Sequence, residues 1–353
     1  MKKKVVIGVS LGIIATLTLL FFLQKLLMPK YMGDIKEGAL ISEYYAQEKD
    51  FDVIFIGDCE VYENFVPVVL WENYGINSYI RGSAQQLIWQ SYYLAEETFR
   101  YEKPDVLVFN VLSLQYNEPQ KEAYNRMTID GMKWSKSKVG SIQASMMDNE
   151  SFIEYVFPIL RYHSRIFELE KEDFTYWLKK EEVGDNGYYM QVGVEPVDYI
   201  PEGKILGDYS FGENAYAYMD RITKLCKDND VELVLIKAPS LYPVWYDEWD
   251  AQIVDYAQKN GLKYINFLDY TDEIGLDFQT DTYDAGLHLN LDGARKLTDF
   301  FGAYLADQCN LKDRRNEEHL NAVWEEKRKI HYEREKQLRA VNQEKESERK
   351  TKK

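Results

Sequence analysis

The sequence predicts an α/β protein. It has a mainly parallel five-stranded sheet, an N-terminal transmembrane helix and a helical insertion. Three observations lead there. Five short β-rich runs alternate with runs of helical periodicity. The strand runs are continuously apolar, as in a parallel sheet covered by helices on both faces. Residues 5–27 are nearly free of charge, with Lys25 near their end.

Residues 1–4 carry Lys2, Lys3 and Lys4, and residues 5–27 are long enough for the roughly 20 residues of a spanning helix. The positive-inside rule then puts the N-terminus in the cytoplasm and the main domain outside the cytoplasmic membrane, as a single-pass protein. A cleaved signal peptide is the alternative, but no convincing Ala-x-Ala site follows the apolar run. Residues 28–50 connect this anchor to the domain.

The domain is expected over 51–311. Its strands are Val53–Ile56, Ser78–Ile80, Val106–Val111, Glu232–Ile236 and Tyr264–Phe267, with helices at Ala84–Arg100, Glu213–Lys227 and Asp247–Lys259. Parallel connections bring the residues after each strand to one edge of the sheet, where ligands bind. Cys59, Gly82, Asn110 and Pro239 stand at such positions. The third and fourth strands are too far apart for one crossover, so residues 119–212 are an insertion. It reads as helical at Glu150–Leu160, His163–Leu169 and Glu172–Lys180, then as irregular and rich in Gly and Pro. It is either a substrate cap or a peripheral subdomain. Residues 312–353 are almost wholly charged helix formers with sparse apolar residues. They read as a solvated helix, a frayed tail or a short coiled coil.

The chain has 353 residues, with 59 acidic against 43 basic side chains and a formal charge of −16. Such a body is a poor partner for nucleic-acid phosphates. The three cysteines, Cys59, Cys226 and Cys309, and four histidines have no zinc-ligand spacing. Neither a metal nor another cofactor is expected.

Two motifs carry chemistry. Phe51-Asp52-Val53-Ile54-Phe55-Ile56-Gly57-Asp58-Cys59-Glu60 runs from a buried strand into a Gly-Asp-Cys turn. Asp284-Ala285-Gly286-Leu287-His288 lies just before the last helix of the domain. A nucleophile after the first strand and a histidine before the last helix resemble the SGNH/GDSL hydrolases, with Cys59 where that superfamily has serine. The resemblance spans roughly residues 52–117 and 231–305. It implies a flavodoxin-like three-layer αβα fold and a nucleophile at Cys59. It also implies a base at His288 and oxyanion donors at Gly82 and Asn110. The strand ending at Asn110 lacks the family's Gly-x-Asn-Asp. Asp284 is one residue farther from His288 than the family's Asp-x-x-His, and Ala285 occupies the expected acid position. A bulge at Gly286 would let Asp284 reach the imidazole; Asp281 is a poorer acid.

A thiol needs less help from a base than a hydroxyl does. Against this, Asp58 and Glu60 flank Cys59, and negative neighbours disfavour a thiolate. Cys59 is therefore either a nucleophile or a structural thiol in a fold that has lost hydrolysis. The other candidates also carry two readings. Asp58 and Glu60 contact substrate or are hydrogen-bonded carboxylates. Ser83 is a replacement nucleophile or a turn residue. His163 meets substrate or packs a helix. Tyr242 and Trp245 stack on sugars or fill the core. Asn290 reads as a helix N-cap.

The resemblance implies hydrolysis or transfer of an ester-linked acyl group on a cell-envelope glycan or similar polymer. The alternatives are a non-catalytic protein that binds or assembles such a polymer, and a scaffold that recruits an envelope protein through its C-terminal helix.

Overall fold

The computed structural model describes residues 2–28, 37–178 and 182–351. Of the expected segments, 1–4, 28–50, Glu172–Lys180 and 312–353 lie partly outside these residues. Five strands form one parallel sheet: β1 Val53–Gly57, β2 Ser78–Gly82, β3 Val106–Asn110, β4 Glu232–Lys237 and β5 Lys263–Asn266. Their order is β2-β1-β3-β4-β5, every pair parallel. This is the flavodoxin-like order, whose switch point lies between β1 and β3. The expected αβα fold is the one observed. Successive residues of β1 divide the core: Val53 and Phe55 face one apolar cluster, Ile54 and Ile56 the other.

The helices before the insertion are α1 Lys2–Leu27, α2 Glu37–Glu43, α3 Cys59–Tyr62, α4 Pro67–Tyr74 and α5 Ile88–Tyr101. Within α1, the 23 residues Val5–Leu27 are long and apolar enough to cross a membrane, spanning about 34 Å at the helical rise.

The insertion holds α6 Glu122–Gly131, α7 Lys136–Ser145, α8 Phe152–Val156, α9 Ile159–Tyr162 and α10 Lys171–Leu178. The helix expected over Glu150–Leu160 breaks at Phe157 and Pro158, because proline has no N–H to continue the ladder. Helix α6 packs on α2 and α7 on α5. Residues 182–212 behave differently. This strap starts on the free edge of β2, where Ile80 N–H donates to Asn186 O at 2.9 Å. It crosses α3, with Tyr189 N–H on Tyr62 O at 2.7 Å, and reaches Thr282, whose carbonyl accepts from Glu195 N–H at 3.0 Å. The irregular half of the insertion thus runs along the edge of the sheet where β1 ends, while α6 touches that edge at Ser83 through Thr128.

The remaining helices are α11 Glu213–Asp228, α12 Asp247–Asn260, α13 Thr271–Ile274, α14 Leu291–Gln308 and α15 Glu318–Thr351. Asn290 caps α14 as expected, its Oδ1 accepting from Asp292 N–H and Gly293 N–H at 3.1 Å each. The charged C-terminal segment is neither frayed nor solvated throughout. Trp324 of α15 stacks on Trp71 of α4 with centroids 5.4 Å apart. Trp324 Nε1 donates to Asn77 Oδ1 at 3.1 Å, and buried His331 pairs with Asp185 of the strap at 2.9 Å. The first turns of α15 therefore belong to the domain core.

Candidate functional site

Gly57 ends β1 because nothing larger fits. A Cβ there would lie 2.4 Å from Val61 Cγ2 and 2.9 Å from Asn110 Cβ. The chain turns at Asp58, whose Oδ1 accepts from Glu60 N–H at 3.2 Å and caps α3. Cys59 is thus the first residue of a helix at the switch point of the sheet. Gly82 lies directly across from Gly57 in the ladder. Its lack of a side chain admits Tyr62, whose Cδ1 would be 3.1 Å from a Cβ.

His288 arrives on the loop before α14. Thr282 and Leu289 pair across that loop, and the turn between them uses two left-handed residues, Ala285 at φ +59° and Gly286 at φ +99°. The left-handed alanine is disfavoured by about 1–2 kcal/mol and is held by four bonds. Ala285 N–H donates to Glu195 O at 3.1 Å, and Gly286 N–H donates to Thr282 Oγ1 at 2.8 Å. Gly286 O accepts from Leu241 N–H at 2.8 Å, and Tyr242 OH donates to Asp284 O at 2.6 Å. This bulge absorbs the extra residue. Asp284 Oδ2 reaches His288 Nδ1 at 2.7 Å, while its Oδ1 accepts His288 N–H at 2.8 Å. Asp281 is committed elsewhere, to Lys296 Nζ at 2.6 Å.

With Nδ1 on Asp284, Nε2 is the ring nitrogen left for the thiol. It is buried and has no hydrogen-bond partner among the described residues, and thiol and ring are near enough for each to shift the other's titration. Cys59 keeps partial solvent access by area, but protein atoms enclose it on most sides. Burial pushes its thiol up to about 11, against the opposing pull of His288. For His288 burial disfavours the cation, but Cys59, Glu63 and Asp284 outweigh it and raise the ring well above the usual histidine range.

Glu63 had no role in the sequence reading. It sits one helical turn after Cys59, so both face the same way. Its Oε2 lies 3.4 Å from His288 Nδ1 and accepts from Tyr283 OH. Burial raises its carboxyl pKa. Tyr283 stacks on the imidazole with ring planes 17° apart. Two carboxylates thus serve one ring nitrogen. Tyr116 is a second missed neighbour. Burial, then Asp58, Cys59 and Glu60, push its phenol up to about 12.

The carboxylates flanking Cys59 have separate fates. Glu60 is buried and points inward, with Lys237 Nζ at 2.9 and 3.1 Å from its two oxygens. It is one half of an internal ion pair. Asp58 is also buried, and burial followed by Glu60 raises its pKa to about 7. Asn110 binds both, donating Nδ2 to Asp58 Oδ1 at 3.0 Å and to Glu60 Oε2 at 2.9 Å. Its Oδ1 accepts Ala238 N–H at 3.3 Å. The expected oxyanion role of Asn110 is corrected here: both amide hydrogens are spent on carboxylates. Lys237 escaped notice in the sequence because it ends an apolar strand run.

The other expected contacts each have partners of their own. Ser83 is buried, its Oγ on Gln86 Oε1 at 3.1 Å and beside Thr128 Oγ1; it is a turn residue. His163 is exposed, with Nδ1 3.2 Å from Leu160 O, on the flank next to α1. Trp245 packs in the core with Phe211 and Trp249, Nε1 donating to Asp250 at 3.1 Å. Tyr242 is a strut of the Asp284 loop. Among the described residues the three cysteines are free thiols, and no cluster of metal-binding type occurs.

The chain matches no family model and no curated protein sequence. Several solved structures resemble it, among them two from Bacteroides species. One is a putative acylhydrolase from Bacteroides fragilis at 12% identity and TM-score 0.37, covering 76% of this chain and 95% of that one. The other is a GDSL-like lipase from Bacteroides thetaiotaomicron at 12% identity and TM-score 0.36, covering 77% of this chain and 99% of that one.

Proposed function

We propose that this protein is a hydrolase or O-acyltransferase of SGNH/GDSL type, with Cys59 as nucleophile and His288 as base. The observation that carries the reading is the Asp284–His288 pair, whose ring charge acts on the thiol of Cys59, with Cys59 on a glycine-enforced turn at the switch point of the sheet. His288 in its neutral form takes the thiol proton at Nε2 while Asp284 holds Nδ1–H, and the new thiolate with Glu63 and Asp284 then stabilises the imidazolium. The thiolate adds to the ester carbonyl, the C–S bond forms, and the C–O bond breaks as the imidazolium protonates the leaving alkoxide. Water or an acceptor hydroxyl then resolves the thioester. The Cys59 amide, at the first position of α3 with no helical acceptor, and the Gly82 amide are the oxyanion donors. With α1 in a bilayer and the basic N-terminus inside, the site faces the outside of the cell. Its substrate class is then an O-acylated envelope glycan or related polymer.

A second reading has its own observation. Asn110 has no donor left for an oxyanion, and the thiol sits near 11. Both features suit a protein that binds such a polymer without cleaving it.

One comparison separates the two. Wild type, Cys59→Ser, Cys59→Ala and His288→Ala are assayed on an acetyl ester. Catalysis requires Cys59→Ala and His288→Ala to lose about 100-fold or more, and a gain in Cys59→Ser would mark the frame as a serine-hydrolase frame carrying a thiol. Equal rates in all four proteins end the catalytic reading.

A further inference from the structure

Residues 5–22 of α1 are exposed, but its last turn is packed against the body. Leu27 is only 1% exposed. Helices α9 and α10 and the 3-10 turn His163–Phe167 between them pack around that end. Arg165 Nη1 donates to Leu27 O at 2.9 Å, and its Nη2 is held by Asp173 at 3.2 and 3.3 Å. The base of the apolar helix is therefore fixed to the insertion by a buried leucine and a charged strut.

The same short elements expose large apolar side chains. Phe157, Leu160, Ile166 and Phe174 are each about half exposed, and Phe167 is 92% exposed. Burying one such side chain is worth about 1.5–3 kcal/mol, so five together on one flank need a partner. Their position names it. A helix that leaves the hydrocarbon at Leu27 holds whatever packs on its final turn at the membrane–water boundary. Aromatic and aliphatic side chains favour that depth. The charges around the patch do not favour an electrostatic partner. Arg161 is tied to Glu122 and Arg165 to Asp173, and the whole chain is acidic.

We propose that Phe157, Leu160, Ile166, Phe167 and Phe174 form an interfacial membrane contact, which holds the folded body on the bilayer beside α1. The inference rests on α1 spanning that bilayer. It does not depend on the chemistry at Cys59. Attachment at two points, one spanning and one interfacial, fixes the tilt of the body, which a single flexible tether does not.

The full chain, carrying a protease site within residues 29–36, is reconstituted into phosphatidylcholine liposomes, cut, and floated on a density gradient. The cut body is expected to remain with the vesicles, in 1 M salt as well. A Phe157→Ser/Ile166→Ser/Phe167→Ser variant is expected to drop at least ten-fold in bound-to-free ratio after cutting. These side chains are exposed, so the variant's melting temperature should match the parent's. Retention of the cut variant would show that contacts with α1 alone hold the body, and overturns the proposal. So does release of the cut parent, including release accompanied by a dimer that the variant abolishes, which makes the patch an interface between two copies. An uncut chain that fails to float removes the spanning reading and the proposal with it. That outcome is distinct from a failure of the patch.

Discussion

Asp284 grips His288 twice, its Oδ1 on the backbone N–H at 2.8 Å and its Oδ2 on ring Nδ1 at 2.7 Å. The first contact sets the loop and the second sets the ring. A carboxylate that does both fixes which nitrogen faces the thiol.

Glu63 stands 3.4 Å from the same Nδ1, so Asp284 is not alone in stabilising an imidazolium. Asp284→Asn keeps an acceptor for the His288 N–H and leaves Glu63 as the remaining anion. Its kcat on an acetyl ester is expected to fall by about 10–100-fold. Asp284→Asn with Glu63→Gln leaves no anion at Nδ1 and is expected to fall by about 1,000-fold, close to His288→Ala. Additive, equal losses from the two single variants would contradict the hierarchy drawn from the two distances.

Burial holds the Cys59 thiol near 11, and His288 is what pulls it down. The thiolate fraction therefore rises with pH across the whole neutral range. Alkylation of Cys59 by iodoacetamide, followed by mass spectrometry of its peptide, is expected to accelerate about ten-fold per pH unit from 7 to 9. In His288→Ala the rate at pH 8 should be lower, because the pull is gone. A rate that levels off below pH 7 would mean that the thiolate–imidazolium pair is the resting state.

Asp58 titrates in the opposite sense from an ordinary surface aspartate. Its folded-state pKa, about 7, lies above the unfolded 3.8 because burial disfavours the anion. The folded state then keeps a proton that the unfolded chain has released. Its contribution to stability is present below pH 3.8 and is lost as pH rises to about 7. Both hydrogen bonds to Asp58 use Oδ1, so Asp58→Asn preserves them and removes the titration. Urea unfolding at pH 4 and pH 7 should show a smaller decline in the variant than in the parent. An equal decline means that Asp58 ionises normally.

The central strands β1 and β3 were legible because they are buried on both sides, which leaves a run of apolar residues. The Asp284–His288 bond was legible because Gly286 marks a place where the backbone can turn left-handed. Lys237 and Glu63 were not. Each takes its meaning from a partner far away in sequence: Lys237 from Glu60, and Glu63 from His288. Asn110 was placed correctly at the carboxyl end of β3, but whether its amide points to substrate or to carboxylates depends on packing that no spacing encodes. Trp245 shows the same limit, since an aromatic after a strand reads identically on a surface and in a core.

The C-terminal helix was misread for a different reason. Leu320, Trp324, His331 and Leu338 recur at four and seven residues, a seam one side chain wide inside a charged sequence. That seam docks. Trp324 fills the space against Trp71, and Arg339 holds Asp292 at 2.7 Å in the first turn of α14, directly after the His288 loop. A deletion from Lys312 onward therefore cannot test recruitment alone, because it strips a buried tryptophan and a buried histidine pair from the domain. Two truncations separate the roles. A chain ending at Gln343 loses only outer turns of α15 and should keep its melting temperature within about 2 °C. A chain ending at Lys312 should not yield soluble folded protein. Trp324→Ala in the full chain gives the intermediate case, a loss of about 3–5 kcal/mol in urea unfolding. A Lys312 truncation that melts like the parent would show that α15 lies on the body without stabilising it.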